Sequence, residues 1–358
     1  MAVKSGSDKN SSIDEDLRKL LEARQAEIKV VGVGGAGNNT VSRLMQVGVA
    51  GAEIIAINTD AQDLLYTDAE KKVLIGRELT KGLGAGADPN IGMDAARESR
   101  EDIKEALERA DMVFITCGLG GGTGTGASPI VADVAKKIGA LTVAIVTLPF
   151  SMEGKQRMDN AKTGLENLEK VADTLIVVPN DKLLEIVPDV SIVTAFKVSD
   201  EILVNAAKGT AELVTKPGLV NLDFADIKAV MVDGGVSLIG MGESDSANRA
   251  VEAVEKAIQN PLLDVDISNA TGALINIVGG PDMSLDECKV IIENVGNKLS
   301  PDAKLIWGAQ IAEDMEKSIR VLLIVTGVRS SQILGHGESL ESMKHREIEE
   351  ELGIDFIE

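Results

Sequence analysis

A glycine-rich segment in the middle of the chain is the part of the sequence best suited to chemistry. Residues 118–126 read Gly-Leu-Gly-Gly-Gly-Thr-Gly-Thr-Gly and follow an apolar run, residues 112–117, that is typical of a buried parallel strand. Glycine adopts positive φ and places no Cβ before a ligand, so such a loop can direct successive N–H groups at an anion. Glycine-rich turns also serve close packing or flexible linkers, but a linker does not fit between a buried strand and a helix. The segment predicts a phosphate-binding loop, with hydroxyl donors from Thr123 and Thr125.

Two further glycine loops extend this prediction. Residues 32–37 match the Gly-x-Gly-x-x-Gly fingerprint of dinucleotide-binding proteins, which does not by itself identify the ligand. Residues 58–60, Asn-Thr-Asp, end the next predicted strand, where such proteins keep an acidic ribose ligand, so an NAD-dependent oxidoreductase stays open here. The third loop is residues 81–88. A dehydrogenase has no need of residues 120–126, and three glycine loops at the carboxyl ends of parallel strands would wrap a triphosphate.

The first half of the chain supplies the elements that must hold these loops. Short apolar runs alternate with helical patterns, which predicts right-handed crossovers and a mostly parallel sheet covered on both faces. The predicted strands are residues 28–33, 54–58, 112–117, 141–147 and 174–179, and the predicted helices include 39–46, 94–110 and 129–138. The fold class is therefore α/β, with a Rossmann-like nucleotide-binding domain.

A long amphipathic pattern, residues 194–214, leads from this half to a smaller one. It ends at residues 216–218, Lys-Pro-Gly, where proline and glycine stop a helix. The strands predicted beyond it are residues 229–231, 236–240, 273–278, 304–308 and 320–328, with helices at 247–259 and 285–299. The predicted organisation is a polar extension at 1–25, a nucleotide-binding domain at 26–193, a central helix at 194–215, a smaller α/β domain at 216–329 and a flexible tail at 330–358.

Composition excludes several other classes of function. The 358 residues carry a net charge of −21, which repels a phosphodiester backbone, so nucleic acid is not an expected partner. Two cysteines are too few for a disulfide framework and fit a reducing cytoplasm. The first residues lack the apolar core of a signal peptide, and no run of about 18 apolar residues predicts direct membrane insertion.

Taken together, the glycine loops and other motifs resemble the tubulin/FtsZ family. Residues 120–126 are identical to the tubulin signature, and the resemblance covers residues 27–328. The other motifs that carry it are Gly-Gly-Ala-Gly-Asn-Asn at 34–39, Asn-Thr-Asp-Ala-Gln at 58–62, Gly-Leu-Gly-Ala-Gly at 82–86, Pro-Phe at 149–150 and Asn-Leu-Asp-Phe-Ala-Asp at 221–226. The last motif and Pro-Leu-Leu-Asp at 261–264 resemble FtsZ, most of all its archaeal members, more than the tubulin-like cell-shape proteins, which remain the alternative within the family. A nucleotide-binding assembly factor that does not hydrolyse its nucleotide is a further alternative.

The resemblance implies a tubulin/FtsZ fold and a GTPase that polymerises head to tail into protofilaments of the cytoplasmic division ring at midcell. GTP or GDP and magnesium are the implied cofactors, with Gln62 near the magnesium. The implied nucleotide contacts are Gly34, Gly35, Ala36, Gly37, Asn38, Asn39, Asn58, Asp60, Gly84, Ala85, Gly86, Gly120, Gly121, Gly122, Thr123, Gly124, Thr125, Gly126, Glu153, Arg157, Phe196 and Asp200.

On the guanosine side, the resemblance gives four side chains specific roles. Glu153 and Arg157 match contacts to the ribose and the edge of the phosphates, although their spacing also suits an i, i+4 ion pair on a solvated helix. Phe196 and Asp200 lie four residues apart, so the ring could stack on a base while the carboxylate accepts from guanine. Without the resemblance, Asp200 is more simply a surface charge. Ser199 departs from the asparagine common in bacterial members.

Residues 221–226 are the implied catalytic segment. In the family this loop enters the nucleotide pocket of the next subunit, which assigns catalysis to Asn221, Asp223 and Asp226. Two carboxylates at this spacing can orient and polarise a water molecule for hydrolysis. The same spacing also resembles a helix-start capping arrangement, and both interpretations can hold together.

The charged tail is the expected site of a further partner. Leu352, Ile354, Phe356 and Ile357 lie in an otherwise acidic segment, a composition suited to folding on a groove. In archaeal relatives such an end recruits a membrane anchor resembling SepF. The tail lacks the long linker and proline-containing peptide of bacterial members, so their anchors are not the expected partners.

Overall fold

The computed structural model describes residues 26–186, 191–216, 218–220, 222–263 and 267–328. The strands are β1 Ile28–Val33, β2 Ala52–Asn58, β3 Lys71–Leu74, β4 Met112–Gly118, β5 Leu141–Leu148, β6 Thr174–Pro179, β7 Gly235–Ser244, β8 Gly272–Gly279, β9 Lys304–Ile311 and β10 Ile319–Thr326. The helices are α1 Gly34–Val47, α2 Ala61–Tyr66, α3 Arg77–Thr80, α4 Pro89–Glu98, α5 Arg100–Leu107, α6 Thr123–Lys137, α7 Lys155–Glu169, α8 Asn180–Ile186, α9 Ile192–Thr215, α10 Phe224–Met231, α11 Arg249–Ile258 and α12 Leu285–Gly296. Short 3₁₀ turns lie at Ser151–Glu153, Pro261–Leu263 and Glu313–Met315.

One sheet runs through the described part of the chain, in the order β3-β2-β1-β4-β5-β6-β7-β10-β8-β9. Every neighbouring pair is parallel except the two that involve β10. From β3 to β6 the order reverses between β1 and β4, and in such sheets the crevice beyond the strand ends at that point binds ligands. The predicted mostly parallel α/β sheet is confirmed.

Helices cover both faces of the sheet, and each face has its own apolar core. Neighbouring residues of β1 illustrate this, because Val30 belongs to one buried cluster and Val31 to the other. Val41 and Leu44 of α1 pack on the face of Val30, as does α9, while Val131 of α6 packs on the opposite face. The helices that follow β1 and β4 therefore approach the crevice from opposite sides of the sheet. Within the described residues, no helix is both long and apolar enough to cross a membrane.

Several predicted elements need correction. Residues 229–231 form the end of helix α10 rather than a strand, because Ile227, Val230 and Met231 bury one helical face. The helix predicted at 94–110 is two helices that meet at Ser99, whose hydroxyl accepts a hydrogen bond from the Gly76 N–H (3.0 Å). Strand β3 and helix α2 were not predicted. A short apolar run does not distinguish strand from helix, so tertiary packing decides these cases.

The central helix is confirmed as α9, which has 24 residues and ends at Thr215. Helices α1 and α6 begin earlier than predicted, at Gly34 and Thr123, so each glycine motif enters the first turn of a helix. Glycine is a poor helix former, and close backbone packing overrides that preference here. The proposed domain boundaries stay a prediction, because β6 and β7 pair directly within the same sheet.

Candidate functional site

The crevice between β1 and β4 is built from two helix N-termini. Helix α1 starts directly after β1, and four residues separate the end of β4 from the start of α6. Neither helix has a side chain that caps its N-terminus. The first N–H groups of a helix have no partner within the helix and carry positive partial charge, so two such ends side by side suit a phosphate chain.

Most of the glycines in this region pack backbone against backbone. A Cβ on Gly37 would lie 2.5 Å from the carbonyl oxygen of Thr116, and one on Gly126 would lie 1.9 Å from that of Pro89. A Cβ on Gly122 would lie 2.8 Å from Ala85 and 3.0 Å from the backbone of Asp88. These glycines let α1, α6 and the loop before α4 approach closely. For these glycines, close packing of the backbone is therefore the reason that no side chain is present.

Other glycines face open space, namely Gly35, Gly121 and, in the third loop, Gly86. A Cβ on Gly121 would meet no atom within 4 Å, and one on Gly35 would meet only a carboxylate oxygen of Asp63, at 4.0 Å. Gly35 and its neighbour Ala36 are exposed. These positions form the accessible wall of the crevice, where a bound phosphate would touch the backbone.

The two threonines of the signature shape the loop. Thr125 is buried, and its hydroxyl accepts from the Gly120 N–H at 2.9 Å, so this hydroxyl and this N–H are both engaged within the protein. Gly120 has φ 104°, a conformation that favours glycine. The Thr123 hydroxyl pairs with that of Thr59 at 2.7 Å and ties the start of α6 to the end of β2. Thr125 thus shapes the loop, and its role as a hydroxyl donor to the nucleotide stays a prediction.

The third glycine loop is tied to the end of β2. The Gly84 N–H donates to the Thr59 carbonyl at 3.2 Å, and Asp60 pairs with Leu83 in a β-bridge. Gly84 has φ 84° and Gly86 has φ 57°, and a Cβ on Gly86 would meet no atom within 4 Å. The structure therefore brings all three predicted loops to the carboxyl edge of β1, β2 and β4.

Asparagine and aspartate side chains line the floor beside β2. Asp60 caps helix α2 by accepting from the backbone N–H groups of Gln62 (2.9 Å) and Asp63 (3.0 Å). The buried amides of Asn38 and Asn58 both donate to Asp63 Oδ2. Gln62 and Asn39 are exposed. Sequence analysis missed Asp63, although its position three residues after the capping Asp60 was visible.

A half-open apolar site lies beside the phosphate crevice. Phe150 follows β5 and is buried, and its ring meets that of Phe196 edge-on with centroids 5.3 Å apart. Phe196 remains 41% exposed, so one face of its ring is free to stack on a planar group. Asp200, one turn further along α9, is half-buried. Burial and, secondarily, the Glu201 carboxylate raise the pKa of Asp200 to about 6.

Three further polar residues lie beside the apolar site, namely Ser199, Glu153 and Arg157. The buried Ser199 hydroxyl donates to Asn180 Oδ1 at 2.9 Å, so it anchors the start of α8 to α9. Glu153 and Arg157 form the i, i+4 ion pair that the spacing allowed, at 2.5 Å. Glu153 also accepts from the Phe150 N–H at 2.9 Å, and Arg157 is half exposed beside Gly120. The pair lies where the phosphate crevice meets the apolar site.

The acidic segment lies at the other end of the central helix. Asp226 Oδ2 accepts from the Asp223 N–H at 3.1 Å at the start of α10, as the capping interpretation predicts. Phe196 and Asp200 lie near the beginning of α9, whereas Asp223 follows its end, and a 24-residue helix is about 36 Å long. Asp223 and Asp226 therefore lie far from the crevice of their own subunit. Asn221 lies outside the described residues.

Comparisons with known proteins all match this chain to the same group of sequences and structures. A model of the tubulin/FtsZ family GTPase domain matches residues 27–188, and a model of the FtsZ family C-terminal domain matches residues 235–329. The cell division protein FtsZ 1 of Thermococcus kodakarensis is 65% identical over 320 residues, which cover 89% of this chain and 86% of that protein. The FtsZ 1 of Pyrococcus abyssi is 62% identical over 331 residues, covering 92% and 89%. A solved structure of an empty FtsZ dimer from M. jannaschii superimposes with a TM-score of 0.86 at 57% identity, covering 90% of this chain and 95% of that chain.

Proposed function

The chain belongs to the tubulin/FtsZ family, and from this premise we propose that it is a cell-division GTPase that assembles head to tail into filaments. The observation that carries the proposal is the pair of uncapped helix N-termini at the β1/β4 crevice, with Gly35 and Gly121 open towards it. Residues 26–193 are the proposed nucleotide-binding domain, and residues 216–329 are the domain that supplies the catalytic loop. An NAD-dependent oxidoreductase and a cell-shape protein are the alternatives that the FtsZ-specific C-terminal match argues against.

The triphosphate of GTP is proposed to lie across the starts of α1 and α6. Its oxygens would accept from the backbone N–H groups of these first turns, which stabilise negative charge. The loops at 34–39 and 118–126 contain no lysine or arginine, and the loop at 81–88 contains only Lys81, so a donor set made mainly of backbone N–H groups fits a triphosphate that arrives with a cation. Magnesium would neutralise the phosphates and polarise the terminal one. Asp60 and Gln62 are the proposed neighbours of that cation.

Guanine recognition is assigned to the apolar site. The exposed face of Phe196 would stack on the base, while the Asp200 carboxylate would accept from guanine N1–H and N2–H₂. Glu153 and Arg157, which sit between this site and the Gly120 loop, are assigned to the ribose and the phosphate edge. Adenine presents a different donor pattern, so it would leave the carboxylate unpaired.

Asp200→Asn is expected to reduce the preference for GTP over ATP by about tenfold or more, because one acceptor of a paired donor set is lost. Competition of GTP and ATP against a fluorescent GTP analogue measures this preference. Asp68→Asn, the same chemical change at an exposed position outside α9, serves as the matched control. An unchanged preference in Asp200→Asn would assign base recognition to another residue.

The raised pKa of Asp200 gives a second measurement. Only the ionised carboxylate accepts both guanine donors, so GTP affinity should fall as pH decreases through about 6, and this dependence should be absent in Asp200→Asn. In the nucleotide-free protein the folded pKa exceeds its ordinary value of 3.8. Protonation of Asp200 therefore contributes to the free energy of unfolding. This contribution is fully present below pH 3.8 and is lost as pH rises through about 6. The Tm gain from Asp200→Asn should accordingly grow as pH rises through that window.

Hydrolysis is proposed to require two subunits. Asp223 and Asp226, with Asn221, would enter the crevice of the next subunit and orient the attacking water against the terminal phosphate. Their distance from the crevice of their own subunit supports this assignment. A contact between different surfaces of identical subunits does not close on itself, so it generates a filament.

Light scattering at right angles tests the assembly. We expect scattering that rises with GTP and magnesium, decays as GTP is consumed, and stays flat with GDP or NAD. An oxidoreductase would respond to NAD without scattering, and an assembly factor that only binds nucleotide would give scattering that does not decay. Either result would contradict the proposed function.

The proposed place of action is the cytoplasmic division ring at midcell, as the names of the relatives suggest. A membrane anchor resembling SepF is the proposed partner of the tail, whose residues lie outside the described part of the chain. Deleting residues 346–358 is expected to leave GTP hydrolysis unchanged and to abolish binding to such an anchor in a pull-down with purified proteins. Anchor binding that persists after the deletion would refute the role of the tail.

A further inference from the structure

Asp63 is a charged residue at the floor of the crevice that the proposed mechanism does not use. Its Oδ2 atom lies 4.0 Å from the position of a Cβ on Gly35, one of the glycines that face open space. We infer that Asp63 is a ligand of the divalent cation that accompanies the bound triphosphate. The inference rests on the proposed function, because it names a residue of the same site.

Neighbouring side chains hold the Asp63 carboxylate in a fixed orientation. Asn38 Nδ2 and Asn58 Nδ2 both donate to Oδ2, at 2.9 and 2.6 Å. The Asp63 N–H donates to Asp60 Oδ1 at 3.0 Å, which fixes the backbone as well. Within residues 26–186, where the surrounding elements lie, Oδ1 has no hydrogen-bond partner. Carboxylates that bind metals are typically hydrogen-bonded by neighbouring side chains that orient them in this way.

Capping of helix α2 does not require the Asp63 side chain. Helix α2 is already capped by Asp60, so Asp63 is not required at that helix start. Asn38 is 1% exposed, and its Oδ1 is buried without a hydrogen-bond partner in the described structure, because its amide nitrogen is committed to Asp63.

Charge indicates what this carboxylate binds. Residues 32–39, 58–63, 82–88 and 118–126 contain no lysine or arginine, and the third glycine loop carries a single one, the exposed Lys81 at its first position. A carboxylate beside a triphosphate is repulsive unless a cation lies between them. Magnesium is bound in nucleotide sites by one or two carboxylates together with phosphate oxygens. Asp63 can therefore favour GTP with magnesium and disfavour GTP without it.

Asp63→Asn separates this role from a structural one. Asparagine keeps an oxygen that can accept from Asn38 and Asn58 but removes the charge. We expect the tightening of GTP binding by magnesium to be about 10- to 100-fold smaller than in the unaltered chain. In EDTA the variant should bind GTP as tightly as the unaltered chain or more tightly, because the repulsion is gone. Titration of a fluorescent GTP analogue with and without magnesium measures both values without reference to turnover.

Three variants sharpen the comparison. Asp68→Asn makes the same chemical change at an exposed position beyond the end of α2, and should leave both affinities unchanged. Asp63→Glu keeps the charge and should recover part of the magnesium effect, which a hydrogen-bonding role does not predict. Gln62→Ala tests the neighbour that the family resemblance implies. Thermal unfolding of each variant shows that the fold is retained.

The outcomes are distinct. An equal magnesium effect in Asp63→Asn and the unaltered chain would overturn the inference. Parallel losses with magnesium and with EDTA would also overturn it, since they would mean that Asp63 only positions Asn38 and Asn58. A magnesium effect lost in Gln62→Ala alone would assign the cation to Gln62. No GTP binding by the unaltered chain in either condition would instead refute the proposed function itself, and the inference with it.

Discussion

Gly121→Leu is expected to lose GTP binding by at least about 100-fold, equivalent to about 3 kcal/mol, while the protein remains folded. The site of a Cβ at Gly121 has no neighbour within 4 Å, so the added side chain meets no protein atom close to the backbone. It would instead occupy the crevice at the start of α6, where the phosphates are proposed to lie. Calorimetric titration with GTP measures the loss, and the Tm measures the fold.

Two other glycines provide the comparison. Gly122→Ala should lower the Tm and impair folding, because its Cβ would lie 2.8 Å from that of Ala85 and 3.0 Å from the Asp88 backbone. Gly296→Leu, at the exposed end of α12 with its nearest neighbour 3.9 Å away, should change neither GTP binding nor folding appreciably. Normal GTP affinity in a folded Gly121→Leu protein would remove the phosphate site from this loop.

Strands β1 and β6 were predicted with correct bounds because both are rich in valine and isoleucine and are followed directly by Gly34 and Asn180. The start of α6 was placed six residues too late. The sequence from Thr123 onward is rich in glycine and threonine, which have low helix propensity, and the helix forms there because Gly126 lets it pack on Pro89. That information lies in a contact between distant residues, so the local pattern does not contain it.

At the site, too, the local sequence pattern predicted the location of the loops, whereas contacts between distant residues decided their details. The spacing of the glycine loops was sufficient to place them at one sheet edge, since the carboxyl ends of parallel strands lie together. The sequence could not distinguish Gly121 from Gly122, which are neighbours of the same type with opposite surroundings. Asp63 was missed for a related reason. Its environment depends on Asn38, which comes from a different strand–helix junction.

Asp226→Ala is expected to bind GTP normally and to assemble into longer-lived filaments, with turnover lowered by about 100-fold or more, because the water is no longer oriented. The lost contact with the Asp223 N–H should lower stability by no more than about 1 kcal/mol. Phosphate release measures turnover, and sedimentation measures the polymer. Asp286→Ala, another exposed first-turn acid, on α12, is the matched control and should hydrolyse GTP normally. Hydrolysis at the normal rate in Asp226→Ala would leave Asp226 with the capping role alone.

Mixed filaments then test whether the acidic loop acts on the next subunit. The Gly121→Leu chain cannot bind GTP but still presents Asp223 and Asp226, whereas the Asp226→Ala chain binds GTP but lacks a working loop. Neither should hydrolyse GTP alone. Together they should recover turnover wherever the loop of the first chain meets the nucleotide of the second, because those contacts combine an intact crevice with an intact loop. Turnover that stays absent, while labelled subunits demonstrate co-assembly, would mean that these carboxylates do not act across the contact.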